Sequence, residues 1–156
     1  MKTTNDITLP VEFSGDAQFI LFNRYGDPRD IGWDHKWLSS WNIKDTFPWF
    51  PEQHISIHKH FWPMLEAAFL ELVQKDLHKE IKTFDGCYEL RNIRSSQVLS
   101  THAWGAAIDL NAKENPMASR GNWSAEFINT IQQHDIFCGQ AWEGRRDAMH
   151  FSMVNG

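Results

Sequence analysis

The sequence predicts an α+β fold, a small antiparallel sheet flanked by helices, and three observations carry that expectation. One long stretch, "FWPMLEAAFLELVQKDLHKEI", repeats apolar residues at helical spacing. Several short segments, "FDGCYELR", "AAIDLN", "DIFCG" and "AMHFSMV", alternate or cluster apolar residues over strand-like lengths, without the regular strand-helix alternation of a doubly wound sheet. At 156 residues, 42% apolar and 22% charged, the chain suits one compact core. Residues 1–156 are therefore expected to form a single domain, with 1–51 an aromatic-rich N-terminal region of unassigned role.

In the N-terminal third, Trp33, Trp37 and Trp41 fall on one face if "GWDHKWLSSW" is helical. Aromatics at that spacing mostly pack inward, which favours a satellite core over a stacking platform for a sugar or peptide. Pro48 and Pro51 in "DTFPWFPEQ" interrupt regular structure and divide this third from the rest. In the long stretch, Pro63 suits a first helical turn, and Leu65, Ala68, Phe69, Leu72 and Val73 form the apolar stripe. Asp85-Gly86 reads as a turn leading into the short strand "CYELR". Ser124 is placed to cap a helix whose Phe127, Ile128 and Ile131 face inward, and "DIFCG" and "AMHFSMV" supply two further strands.

A formal charge of -5 argues against a phosphate-backbone binder, so no nucleic-acid partner is expected. "MKTTNDITLPVEF" lacks the apolar core of a secretory leader, and no segment has the unbroken apolar length of a membrane span. The expectation is a soluble monomer made in the cytoplasm, without membrane insertion. Cys87 and Cys138 are too few for a disulfide framework and read as buried thiols. His54 and His58 stand four apart in "HISIHKH" without the glutamate of an H-E-x-x-H pattern, and read as a surface or interface cluster. His35, His78 and His134 show no partner pattern.

The chemistry concentrates in two later blocks. Alternation in "AAIDLN" puts Ala106, Ile108 and Leu110 on one face and Ala107, Asp109 and Asn111 on the other. In "AMHFSMV" the same rule turns Met149, Phe151 and Met153 inward and leaves His150 and Ser152 opposite. His102 is an odd number of residues from Asp109, so a turn at Trp104-Gly105 is needed to bring the two together. Two histidines and a carboxylate form a common catalytic zinc set, with the fourth position left open for water. Asp147, three residues before His150, is then placed as a base. The residues alone fit a second reading equally: Asp109 caps a turn, His102 and His150 are hydrogen-bonded in the interior, and Asp147 pairs with Arg145 or Arg146.

At these residues the sequence resembles the zinc D-alanyl-D-alanine carboxypeptidase and L-alanyl-D-glutamate endopeptidase family, peptidoglycan peptidases that share the Hedgehog-type fold. The family's pattern is Ser-x-His, then Gly-x-Ala-x-Asp, and later an acidic residue three before a His followed by Phe. Here it reads "STHAWGAAIDLN" and "DAMHFSM", within a stretch from about Gly86 to Met153. The resemblance implies one Zn2+ ion held by His102, Asp109 and His150, with Asp147 as general base and acid. It implies a substrate-holding arginine at Arg91, with Arg94 the competing candidate, and a supporting hydroxyl at Ser100. Trp142, just before the second block, is a candidate lining residue. Ser152 stands where many relatives carry an acidic residue, and the segment before Pro51 has no counterpart in the pattern.

The activity implied is hydrolysis of a peptide bond in peptidoglycan stem peptides, as a carboxypeptidase or an endopeptidase, both of which share the motif. An endolysin-like enzyme of phage origin, released to the cell wall by a lysis system, is the expected setting. The alternative is a non-catalytic zinc-containing binding module of the same fold.

Overall fold

The computed structural model describes residues 9–156. The expectation that no leader is present falls largely on residues 1–8, which lie outside the described residues. Among the described residues, no helix is long and apolar enough to cross a membrane.

The chain is α+β, with two small antiparallel sheets and several helices. Helix α1 (Asp16–Tyr25) ends at Gly26 and is followed by the short α2 (Trp33–Trp37). The chain then extends into β1 (Leu38–Trp41), turns through α3 (Ile43–Thr46) and returns as β2 (Ile55–His58). Strands β1 and β2 pair antiparallel, Leu38 opposite His58 and Trp41 opposite Ile55. "GWDHKWLSSW" is thus not one helix. It changes to strand at Leu38, because pairing with "ISIH" satisfies its backbone groups and buries Trp41 beside Phe47 and Trp62. Trp33 and Trp41 are buried, as expected of a core rather than a platform. The prolines lie in the connection between two paired strands, so they shape a hairpin and do not divide the N-terminal third from the rest of the chain.

Helix α4 (Phe61–Gln74) carries the anticipated stripe, with Leu65, Ala68, Phe69 and Leu72 buried. Val73 is the exception and lies exposed at the edge of the stripe. The second sheet has the order β3 (Phe84–Gly86), β4 (Ala107–Leu110), β6 (Asp147–Ser152), β5 (Phe137–Gly139). Here the turn and the strand exchange places. Asp85-Gly86 belongs to β3, and "CYELR" leaves the sheet, since the pairing with β4 is irregular between Phe84 and Gly86. Ser124 caps α5 (Ala125–Gln132), its hydroxyl accepting from the Phe127 amide at 3.1 Å. Phe127 and Ile131 are buried and Ile128 is half-buried against them. One apolar cluster runs from Phe13 through α4, α5 and the larger sheet to Val154.

Candidate metal centre

Ser100 starts the local geometry. Its hydroxyl accepts the His102 amide at 3.2 Å and caps a 3-10 turn over Thr101–Trp104. Gly105 ends that turn at φ +64°, in the left-handed region, where an added Cβ would lie 2.7 Å from Leu38 Cδ2 and 2.9 Å from the His58 nitrogen. The reversal sends the chain into β4, which carries Asp109 back beside the His102 ring. From the other side β6 pairs with β4 and sets His150 directly opposite Asp109. Directly opposed residues share a sheet face, so the carboxylate faces both rings.

His102 Nε2 is 3.2 Å from Asp109 Oδ2, and His150 Nδ1 is 3.4 Å from Asp109 Oδ1. All three residues are buried, with Asp109 9% exposed. Each offers one ligand atom, and these atoms lie within 4.8 Å of one another. Asp109 Oδ1 is buried without a hydrogen-bond partner, a costly state for a carboxylate oxygen unless something else occupies its lone pairs. The donor set, imidazole nitrogens plus a carboxylate, fits a borderline divalent metal ion. Burial alone raises the Asp109 carboxyl, but the adjacent His102 and His150 rings outweigh it and hold the group well below the usual carboxylate range. At His102 burial acts to lower the pKa, and Asp109 overcomes it, leaving the imidazole above its ordinary value.

Asp147 opens β6 beside this cluster, and its Oδ1 is also buried without a hydrogen-bond partner. Burial pushes its carboxyl up, partly opposed by the nearby His150. A carboxylate with a raised proton affinity is suited to taking and returning a proton.

The cluster opens into a cavity of about 680 Å³ lined by His102, Asp109, Asp147 and His150, and also by Arg91, Arg94, Ser100 and Trp142. The residues proposed for the metal, the base and the substrate therefore line one cavity. Their surroundings differ from expectation in detail. Arg91 follows an irregular segment rather than ending a strand, its carbonyl accepts the Ser100 amide, and its guanidinium pairs with Glu89 at 2.9 Å. Arg94 lies on the same wall. The Trp142 ring stands 5.3 Å from the His150 ring, and its Nε1 donates to Asn155 Oδ1 at 3.0 Å.

Met149, expected inward, is half-buried and lines the cavity. The pairing of β5 with β6 shifts between Cys138 and Gly139, which breaks the alternation. Arg145, read from sequence only as a surface partner for Asp147, lines the cavity as well. So does Gly156, for which the sequence held no signal beyond a small residue after the second block.

The remaining candidates lie elsewhere. His58 is fully buried among Tyr25, Trp33 and Trp37, not on the surface, because β2 turns it inward beneath the aromatic N-terminal region. His54 is exposed. Cys87 and Cys138 are free and buried, and burial raises both thiols, Cys138 to about 12, which leaves them poor nucleophiles near neutrality.

Residues 94–153 match a family model described as D-alanyl-D-alanine carboxypeptidase. The match spans both motif blocks and bears out the resemblance that they carried. It begins after Arg91. No curated protein and no solved structure matches the chain.

Proposed function

We propose, from a chain whose residues 94–153 fall in the D-alanyl-D-alanine carboxypeptidase family, that this protein is a zinc-dependent peptidase cutting a peptide bond in peptidoglycan stem peptides. The observation that carries the reading is the buried His102, Asp109, His150 cluster opening into a cavity with a buried carboxylate, Asp147, beside it. We read the α+β frame as the Hedgehog-type arrangement implied by the resemblance.

His102, Asp109 and His150 would hold the ion, and zinc when bound supplies a Lewis acid that polarises a scissile carbonyl and lowers the pKa of water. Asp147 then acts on the proton. Its carboxylate accepts one from the attacking water and delivers it to the departing amine, so both new ends of the peptide leave in stable form. Arg91 or Arg94 would hold a carboxylate or carbonyl oxygen of the substrate, the planar guanidinium matching a carboxylate through paired hydrogen bonds. Ser100 keeps the His102 turn in place, and Trp142 walls the cavity beside His150. One ion, a monomer and release to the wall by a phage-type lysis system complete the proposal.

The test is digestion of purified peptidoglycan by the zinc-loaded protein, with a chelated control and products read by mass spectrometry. Loss of a terminal D-alanine identifies a carboxypeptidase. A new amine at D-glutamate identifies an endopeptidase. No product from protein carrying stoichiometric zinc would replace this reading by the non-catalytic binding module.

A further inference from the structure

The main-chain oxygen of Gly156 lies 2.7 Å from His150 Nε2. An oxygen there only accepts, so at that distance Nε2 donates, and Nδ1 is the nitrogen turned to Asp109. The arrangement at His102 is the mirror of this. Its Nδ1 donates to the Cys87 carbonyl at 2.7 Å, leaving Nε2 toward Asp109. Each ring thus has one nitrogen tied to a backbone oxygen and the other turned to the carboxylate. We infer that Gly156 is a positioning residue: its main-chain oxygen holds the ring orientation in which His150 presents Nδ1 to a metal, as the Cys87 carbonyl does for His102. The inference rests on the metal-site reading above.

What holds that oxygen in place is packing. Gly156 lies against α1, where a Cβ built on it would collide with the Ala17 Cβ. The Thr101 hydroxyl donates to the same oxygen at 3.4 Å. One residue earlier, Asn155 is held by the Trp142 indole. The segment is therefore held from α1, from the His102 turn and from the cavity wall, and a side chain at residue 156 would press on Ala17 and displace it. Backbone and carboxylate partners of ligating histidines orient the ring, and their loss commonly weakens metal binding by roughly 10- to 100-fold.

The test is Gly156→Ala in the full chain, with zinc affinity measured by competition against a chromophoric chelator. The expected result is a loss within that roughly 10- to 100-fold range. Ala17→Gly combined with Gly156→Ala reopens the space and should restore most of the affinity, with Ala17→Gly alone as the reference. Unchanged affinity in Gly156→Ala would overturn the inference, as would a loss that Ala17→Gly does not restore. A parent that binds no zinc would instead sink the metal reading on which the inference rests.

Discussion

His58 and His150 are both buried histidines on short antiparallel strands, yet their surroundings could hardly differ more. His58 sits within 4.1 Å of the Tyr25 ring and 5.5 Å of the Trp37 ring, centroid to centroid. Its Nδ1 accepts the His60 amide at 3.0 Å, so the proton is on Nε2, which is buried without a partner. No carboxylate pairs with it among the described residues, and burial, reinforced by the charges of His60 and Lys59, lowers its pKa to about 3. His150 faces a carboxylate, has its second nitrogen on a backbone oxygen, and opens onto a cavity. Burial alone therefore says little about a histidine. The partners that converge on its two nitrogens separate a structural ring from a candidate ligand.

The sharpest way to break that comparison is to remove each ring in turn and weigh the bound metal. His150→Ala is expected to lose stoichiometric zinc and with it all hydrolysis, whereas His58→Asn keeps the zinc. Within the site, Asp147→Ala should retain zinc while the rate falls by roughly 10²- to 10⁴-fold, the usual contribution of a positioned acid-base group. Elemental analysis beside a peptide-release assay checks all three variants. Full activity in Asp147→Ala would remove the proposed proton carrier, and zinc retained in His150→Ala would dissolve the contrast itself.

Much of the site was legible in the sequence because its parts are local. Alternation placed Asp109 on the face opposite Ile108, and the seven-residue step from His102 demanded the turn that Gly105 makes. What could not be read was long-range. "LSSW" becomes a strand only through its pairing with "ISIH", and the inward turn of His58 results from the same pairing. Met149 faces the cavity because of an irregularity in pairing with β5, which no periodicity within β6 reveals. Arg145 and Gly156 reach the cavity by tertiary placement, and neither residue type announces that in one dimension.

Acid sharpens the comparison at a smaller scale. The unfolded chain protonates His58 near pH 6.5, while the folded chain holds out to about 3. Between those values the unfolded state binds more protons, so stability falls as pH falls through that window, by a total of about 5 kcal/mol. The Asp109 carboxyl, held low in the fold, removes stability in the same direction but only below about pH 4, where the unfolded carboxyl begins to protonate. His58→Asn keeps an acceptor for the His60 amide and does not titrate. Urea unfolding of the zinc-free protein between pH 7 and 4 should show a shallower loss in this variant than in the parent. Equal slopes would mean that His58 is protonated inside the fold, and the aromatic cage would no longer be its defining environment.

Gly105 joins the two regions, and substituting it is the mildest test. Its carbonyl accepts the His58 amide at 3.0 Å, and its left-handed conformation closes the turn that carries His102. Gly105→Ala forces a side chain into a positive φ and against Leu38 and the His58 backbone, at an expected cost of roughly 2 kcal/mol in unfolding free energy. Because the same displacement tilts the His102 turn, zinc affinity should fall too, though by less than in His150→Ala. Chemical denaturation and chelator competition on one preparation separate the two effects. A stability loss with unaltered zinc affinity would show that the aromatic region and the candidate metal site meet at Gly105 without coupling. A loss in both makes the packing around His58 part of what holds His102 in place.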